Sequence, residues 1–108
     1  MSYKLQISTR FQKDVMKLIQ KYHSFKDELI SLRNSLIENP FQGTSIKYNC
    51  YKIRISILSK GKGKSGGARV ITHIHVKDKI VYLLTIFDKS EMENITDKEL
   101  EFLVKEII

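Results

Sequence analysis

A chain of 108 residues, 42% hydrophobic, fits one domain able to bury about two-thirds of its unfolded surface and leaves no room for a second. Its longest apolar run, Ile80 to Phe87, falls far short of the ~20 residues of a membrane span, Met1-Ser2-Tyr3-Lys4 lacks a signal-peptide pattern, and the lone Cys50 excludes an internal disulfide, which together point to the reducing cytoplasm. The formal charge of +7 is uneven: residues 43–79 carry nine bases and one acid, the footprint of a polyanion binder, whereas residues 88–108 carry three bases and seven acids.

Tyr3 to Ile7 alternates as a short strand. Ser8 or Thr9 can cap the helix that follows, whose apolar stripe is Phe11, Val15, Leu18, Ile19 and Tyr22. Ser24 starts a second helix with the stripe Phe25, Leu29, Leu32 and Leu36, stopped before Pro40 because Asn39 is disfavoured from helical angles. So short a join makes the two an antiparallel hairpin. A loop over Phe41 to Asn49 is followed by a change of period from 3.6 to 2. In Cys50 to Leu58, Tyr51, Ile53, Ile55 and Ile57 point one way and Lys52, Arg54 and Ser56 the other. A strand over Ala68 to Val76 places Val70, Ile74 and Val76 inward, with Arg69, His73 and His75 opposite. Asp78-Lys79 makes the tight connection to Ile80–Phe87, which is apolar on both faces and therefore central. Thr96-Asp97-Lys98-Glu99 is a capping box opening a last helix with the stripe Leu100, Leu103, Val104 and Ile107. The order β-α-α-β-β-β-α predicts an α+β domain with helices on one face of a mostly antiparallel sheet.

Three features carry possible chemistry. Lys52 and Arg54, at i and i+2 on one strand face, stand about 7 Å apart by strand rise. The segment Lys60-Gly61-Lys62-Gly63-Lys64-Ser65-Gly66-Gly67 combines lysines with glycines that let backbone approach a phosphate, or is a flexible hairpin loop. Its Gly63-Lys64-Ser65 ends like a phosphate-binding P-loop, but Leu58 occupies the position of that motif's first glycine and a strand follows instead of a helix. His73 and His75 form a His-x-His pair; zinc needs further ligands, and nothing in the spacing brings Cys50 or His23 to them, so no metal is expected. Surface imidazoles, or side chains that stack on or bond to a base, are the readings left.

The stretches Asn49 to Ile55, Gly63-Lys64-Ser65-Gly66-Gly67-Ala68-Arg69-Val70-Ile71, Tyr82 to Glu91 and Ile95 to Leu100 resemble the RelE/ParE toxin superfamily. The glycine-rich stretch looks most like its HigB-like branch. The resemblance implies one RelE-like toxin domain over residues 1–108, with the helical hairpin on one face of a small, curved, mostly antiparallel sheet. It implies a ribosome-dependent mRNA endoribonuclease working in the ribosomal A site, restrained by a cognate antitoxin and needing no cofactor. The ParE branch shares the fold but poisons DNA gyrase, and a non-catalytic RNA-binding module is a further alternative. Carried over to this chain, the family roles fall on Lys52 as a candidate general base, on Arg54 and Arg69 as phosphate and transition-state stabilisers, and on Lys89 as a phosphate contact or acid. Lys60, Lys62, Lys64, His73 and His75 are the expected RNA contacts. No tyrosine follows Tyr82, where RelE itself has a catalytic tyrosine, so Lys89, Glu91 or a histidine would have to serve as the acid.

Overall fold

The computed structural model describes residues 3–58 and 66–107. Its elements are β1 (Lys4–Ile7), α1 (Thr9–Lys21), α2 (Phe25–Glu38), β2 (Thr44–Ser45), β3 (Cys50–Ile55), β4 (Ala68–His75), β5 (Ile80–Asp88) and α3 (Asp97–Ile107). The expected order holds, with the two-residue strand β2 added inside the segment read as a loop. The sheet runs β1-β5-β4-β3-β2; β1 pairs parallel with β5 and every other pairing is antiparallel.

Local chemistry sets the helix boundaries. Ser8, not Thr9, caps α1, its Oγ accepting the Phe11 N–H at 3.0 Å while its own hydroxyl donates to the Leu84 carbonyl at 2.9 Å. Ser24 precedes α2 without a side-chain capping bond. Thr96 caps α3 as read, its Oγ1 accepting the Glu99 N–H at 3.2 Å, but the Glu99 carboxylate accepts the Thr96 hydroxyl at 3.1 Å rather than the backbone N–H that a full capping box uses.

The helices do not share a face. Phe11, Leu18, Phe25, Leu32 and Leu36 of α1 and α2 pack with Ile53, Ile55, Val70, Leu83 and Ile86. Leu100, Leu103 and Val104 of α3 pack with Cys50, Ile71, Leu84 and Phe87, residues of the opposite strand parity. The hairpin thus covers one side, as expected, and α3 crosses to the other, correcting the one-sided arrangement. Two covers explain why β5 is apolar on both faces. A bulge completes the fit: Ile71 pairs with Thr85 but Thr72 with Leu83, so Leu84 is an extra residue in β5. That insertion lets Leu83 and Ile86, three apart, both meet the hairpin, while Leu84 and Phe87 both meet α3. Val76 falls beyond the end of β4 and is 58% exposed, not inward as its parity suggested.

The β2–β3 turn is tight. Tyr48 and Asn49 have φ of 60° and 58°, the two successive positive values that a type I′ hairpin turn needs. The Cys50 N–H closes it on the Lys47 carbonyl at 3.1 Å. Lys47 Nζ reaches Asp97 at 2.7 Å and the Tyr48 hydroxyl donates to Glu101 at 3.0 Å, fastening the turn to α3.

Candidate active site

Strand register brings the predicted cations together. Arg54 stands directly opposite Arg69, and Lys52 opposite Ile71. All three leave the sheet on the face away from α1 and α2, at the end that α3 does not cover, since Ile53, Ile55 and Val70 take the alternate positions in the hairpin core. Lys89 joins them from the end of β5, its N–H donating to the Gly67 carbonyl at 3.0 Å beside the start of β4. Lys52, Arg54, Arg69 and Lys89, with Glu93 and Asn94 from the segment before α3, line an open cleft of about 440 Å³.

The cleft is electrostatically tense. Like charges directly opposite one another across two strands are unfavourable, and Arg54 and Arg69 are such a pair. Arg69 is only 4% exposed, and its Nη1 donates to the Ala68 carbonyl at 3.1 Å. Burial first, and the neighbouring Arg54 charge second, pull the Arg69 pKa below the usual guanidinium value. An anion between the two guanidiniums turns repulsion into charge-assisted, bidentate attraction, which is what arginine forks do best with phosphate. Lys52 Nζ donates to Asn94 Oδ1 over a long 3.4 Å, and the same oxygen accepts the Ile95 N–H at 2.9 Å.

Asp88 fixes the turn that delivers Lys89. Its buried carboxylate accepts the Tyr22 hydroxyl at 3.2 Å, the Ser90 N–H at 3.0 Å and the Ser90 hydroxyl at 2.8 Å. Its carbonyl takes the N–H groups of Glu91 and Met92, each at 3.0 Å. The C-terminal end of α1 is thereby tied to the rim of the cleft on the other side of the sheet.

The remaining candidates separate. His73 is not the surface imidazole expected: it is 5% exposed, its Nδ1–H donates to the Tyr48 carbonyl at 2.8 Å, and burial holds its pKa below the ordinary value. Side-chain parity places it on the same face as Arg69, but under the α3 end, where it buttresses the β2–β3 turn. Contrary to the spacing, Cys50 does lie beside it, Sγ 3.6 Å from Nδ1, though burial pushes the thiol up to about 12 and leaves it a protonated packing group. His75 sits at the far end of β4, its Nδ1 3.1 Å from Asp78 but off the hydrogen-bond axis. Glu91 pairs with Lys21 at 3.2 Å and does not line the cleft. Lys60, Lys62 and Lys64 lie outside the described residues. Glu93 and Asn94 escaped the sequence reading because they belong to no periodic segment; only their place between the basic strand end and the Thr96 box marked them.

The model of the family described as "RelE toxin of RelE / RelB toxin-antitoxin system" matches residues 9–107. The chain belongs to the RelE toxin family. Solved structures with the same fold include an arginine-to-alanine double mutant of E. coli RelE in the free state, at 20% identity and TM-score 0.60 with both chains covered in full. The isolated E. coli RelE toxin matches at 18% identity and TM-score 0.61, over 98% of this chain and 99% of that one. The toxin-antitoxin complex RelBE2 from Mycobacterium tuberculosis matches at 15% identity and TM-score 0.56, over 82% of this chain and 99% of the matched chain. Identities this low speak for the fold, and the RelE-like α+β architecture expected from the sequence is the one found. Among the described residues of this RelE-family chain, no helix is long and apolar enough to cross a membrane.

Proposed function

We propose that this RelE-family chain is the toxin of a type II toxin-antitoxin system and a ribosome-dependent endoribonuclease that cuts mRNA by attack of the 2′-OH. The observation that carries the reading is the apposed pair Arg54 and Arg69, joined by Lys52 and Lys89 in one open cleft. Cleavage of RNA by its own 2′-hydroxyl adds negative charge to the phosphorus as the fifth bond forms, and pre-set cations aimed at that charge are the largest available source of acceleration. Arg54 and Arg69 grip the scissile phosphate and stabilise the phosphorane. An ammonium of Lys52 or Lys89 supplies the proton to the departing 5′ oxygen. Lys60, Lys62 and Lys64, in the glycine-rich segment between β3 and β4, add phosphate contacts along the bound strand.

Partners follow from the same reading. The M. tuberculosis match is a toxin-antitoxin complex, which supports a cognate antitoxin for this chain. The ribosomal A site supplies and orients the mRNA. The test is primer extension on translated mRNA after brief expression. Cuts in register with the reading frame, lost in Arg54→Ala and Arg69→Ala, are expected. Toxicity with intact mRNA, undiminished in those variants, would favour a gyrase poison or a non-catalytic RNA binder instead.

A further inference from the structure

We infer that Glu93 is the general base of this site, the group that takes the proton from the attacking 2′-OH; the inference rests on the endoribonuclease reading above. Of the six described residues lining the cleft, four are cations, one is an amide, and one, Glu93, is a carboxylate. Guanidinium and ammonium groups only donate, whereas a carboxylate accepts. An ordinary lysine is protonated at neutral pH and must shed its proton before it can act as a base, while an ordinary carboxylate is ready. Lys52 in its ordinary ammonium form has no lone pair with which to take that proton. Lys52 is better used as the structure holds it, Nζ donating to Asn94 Oδ1.

Three further observations separate Glu93 from a charge that merely balances its neighbours. It is exposed, and no ion pair or hydrogen bond holds it to another described residue. The neighbouring acids are in use elsewhere: Asp88 is buried under three hydrogen bonds, Glu91 is paired with Lys21, and Asp97 with Lys47. Asn94, the next residue, is pinned by the Ile95 N–H and the Lys52 ammonium, so the backbone that carries Glu93 is anchored to β3.

The step balances. The 2′-O–H bond breaks and its proton passes to a Glu93 oxygen; the 2′-oxygen bonds to phosphorus; the bond from phosphorus to the 5′-oxygen breaks, and that oxygen takes a proton from Lys52 or Lys89. The products are a 2′,3′-cyclic phosphate and a 5′-hydroxyl, and one proton returns through solvent from Glu93 to the lysine.

The experiment is single-turnover cleavage of mRNA on programmed ribosomes by purified wild type, Glu93→Gln, Glu93→Asp and, as a control outside the cleft, Glu91→Gln. The charged groups facing Glu93 are Lys52 and Arg54 from β3, Arg69 from β4 and Lys89 after β5, so the rate is followed over pH 5 to 9. An ordinary carboxylate base is ionised throughout this range, so wild type should show no acid limb, whereas a lysine base would make the rate climb about tenfold per pH unit. Glu93→Gln should lose about 10²- to 10⁴-fold, the usual range for a general base, and its residual rate should rise with pH as hydroxide replaces the missing base, while binding ribosomes as tightly as wild type. Glu93→Asp should recover part of the rate, and Glu91→Gln should match wild type. Cleavage by Glu93→Gln within threefold of wild type, or a wild-type rate that climbs about tenfold per pH unit across the range, overturns the assignment and leaves the endoribonuclease reading standing. A wild type that cleaves nothing overturns both.

Discussion

Removing one of the two opposed guanidiniums should stabilise the fold while disabling the site. Arg54 and Arg69 are register partners on β3 and β4, with Arg54 exposed and Arg69 buried. Like charges in that position cost roughly 0.2–1 kcal/mol, so Arg54→Gln, which keeps part of the aliphatic stem, should raise stability by about that amount. For a domain of this size that is a rise of about 1–6 °C in Tm. The gain should shrink between about 0.05 M and 1 M salt, because the screening length falls to ~3 Å at the upper end. Phosphate supplies the opposite sign: at ten times its Kd it adds about 1.4 kcal/mol to a protein with one site, and wild type should gain this while Arg54→Gln gains little. Thermal and urea unfolding of both proteins, at low and high salt and with or without phosphate, reads all three effects. A variant less stable than wild type at low salt, or an equal phosphate response in both, would refute the idea that the pair is a preformed anion site.

His73 should make stability pH-dependent. Burial holds its folded-state pKa below the ordinary 6.5, so the folded protein binds that proton less readily than the unfolded chain. Its contribution is complete above about pH 6.5 and is lost as the pH falls toward the folded-state value; His73→Asn should flatten that decline in urea midpoints between pH 5 and 8 and, by leaving the Tyr48 carbonyl unpaired, cost about 1–3 kcal/mol at pH 7.5. Gly67→Ala would drive a Cβ into the Ile55 carbonyl oxygen and to 2.9 Å from Ser56 Cα. A loss of about 1–3 kcal/mol is expected from such overpacking, with cleavage impaired because the Gly67 carbonyl holds Lys89; urea unfolding beside a cleavage assay checks both. Replacing Lys60, Lys62 and Lys64 by Gln should reduce the slope of log affinity for RNA against log salt by about 2, at ~0.7 per phosphate contact on a single strand, and leave the cleavage position unchanged. An unchanged slope in a salt titration would assign those lysines to solvent.

What could be read from the sequence were the features that are local. The Thr96 cap and the α1 stripe depend on neighbours three or four residues away, and both formed where the spacing put them. The alternation of Lys52, Ile53, Arg54 and Ile55 was enough to place two cations on one face, and it needed only the register with β4 to bring in Arg69. Features set by tertiary packing were not legible. A helical stripe says which residues of α3 are buried but not against which side of the sheet, and the double-sided β5 was the one hint that two covers exist. The bulge at Leu84 follows from that packing and leaves no local mark in the sequence. Strand parity put His73 on the cationic face, yet α3 and the Tyr48 turn bury it there, because parity fixes direction and not depth. Glu93 and Asn94 enter the cleft only through the path of the chain between β5 and α3.

The most direct measurement is the chemistry of the cut ends. Purified protein is mixed with programmed ribosomes, and the mRNA fragments are analysed by mass spectrometry for wild type and for the Arg54→Ala, Arg69→Ala double variant. Fragments ending in a 2′,3′-cyclic phosphate and beginning with a 5′-hydroxyl, made by wild type on translated mRNA and at least about 10²-fold more slowly by the double variant, are expected of a phosphate-gripping cationic cleft. Intact mRNA with wild type, or equal cleavage by the double variant, would contradict it.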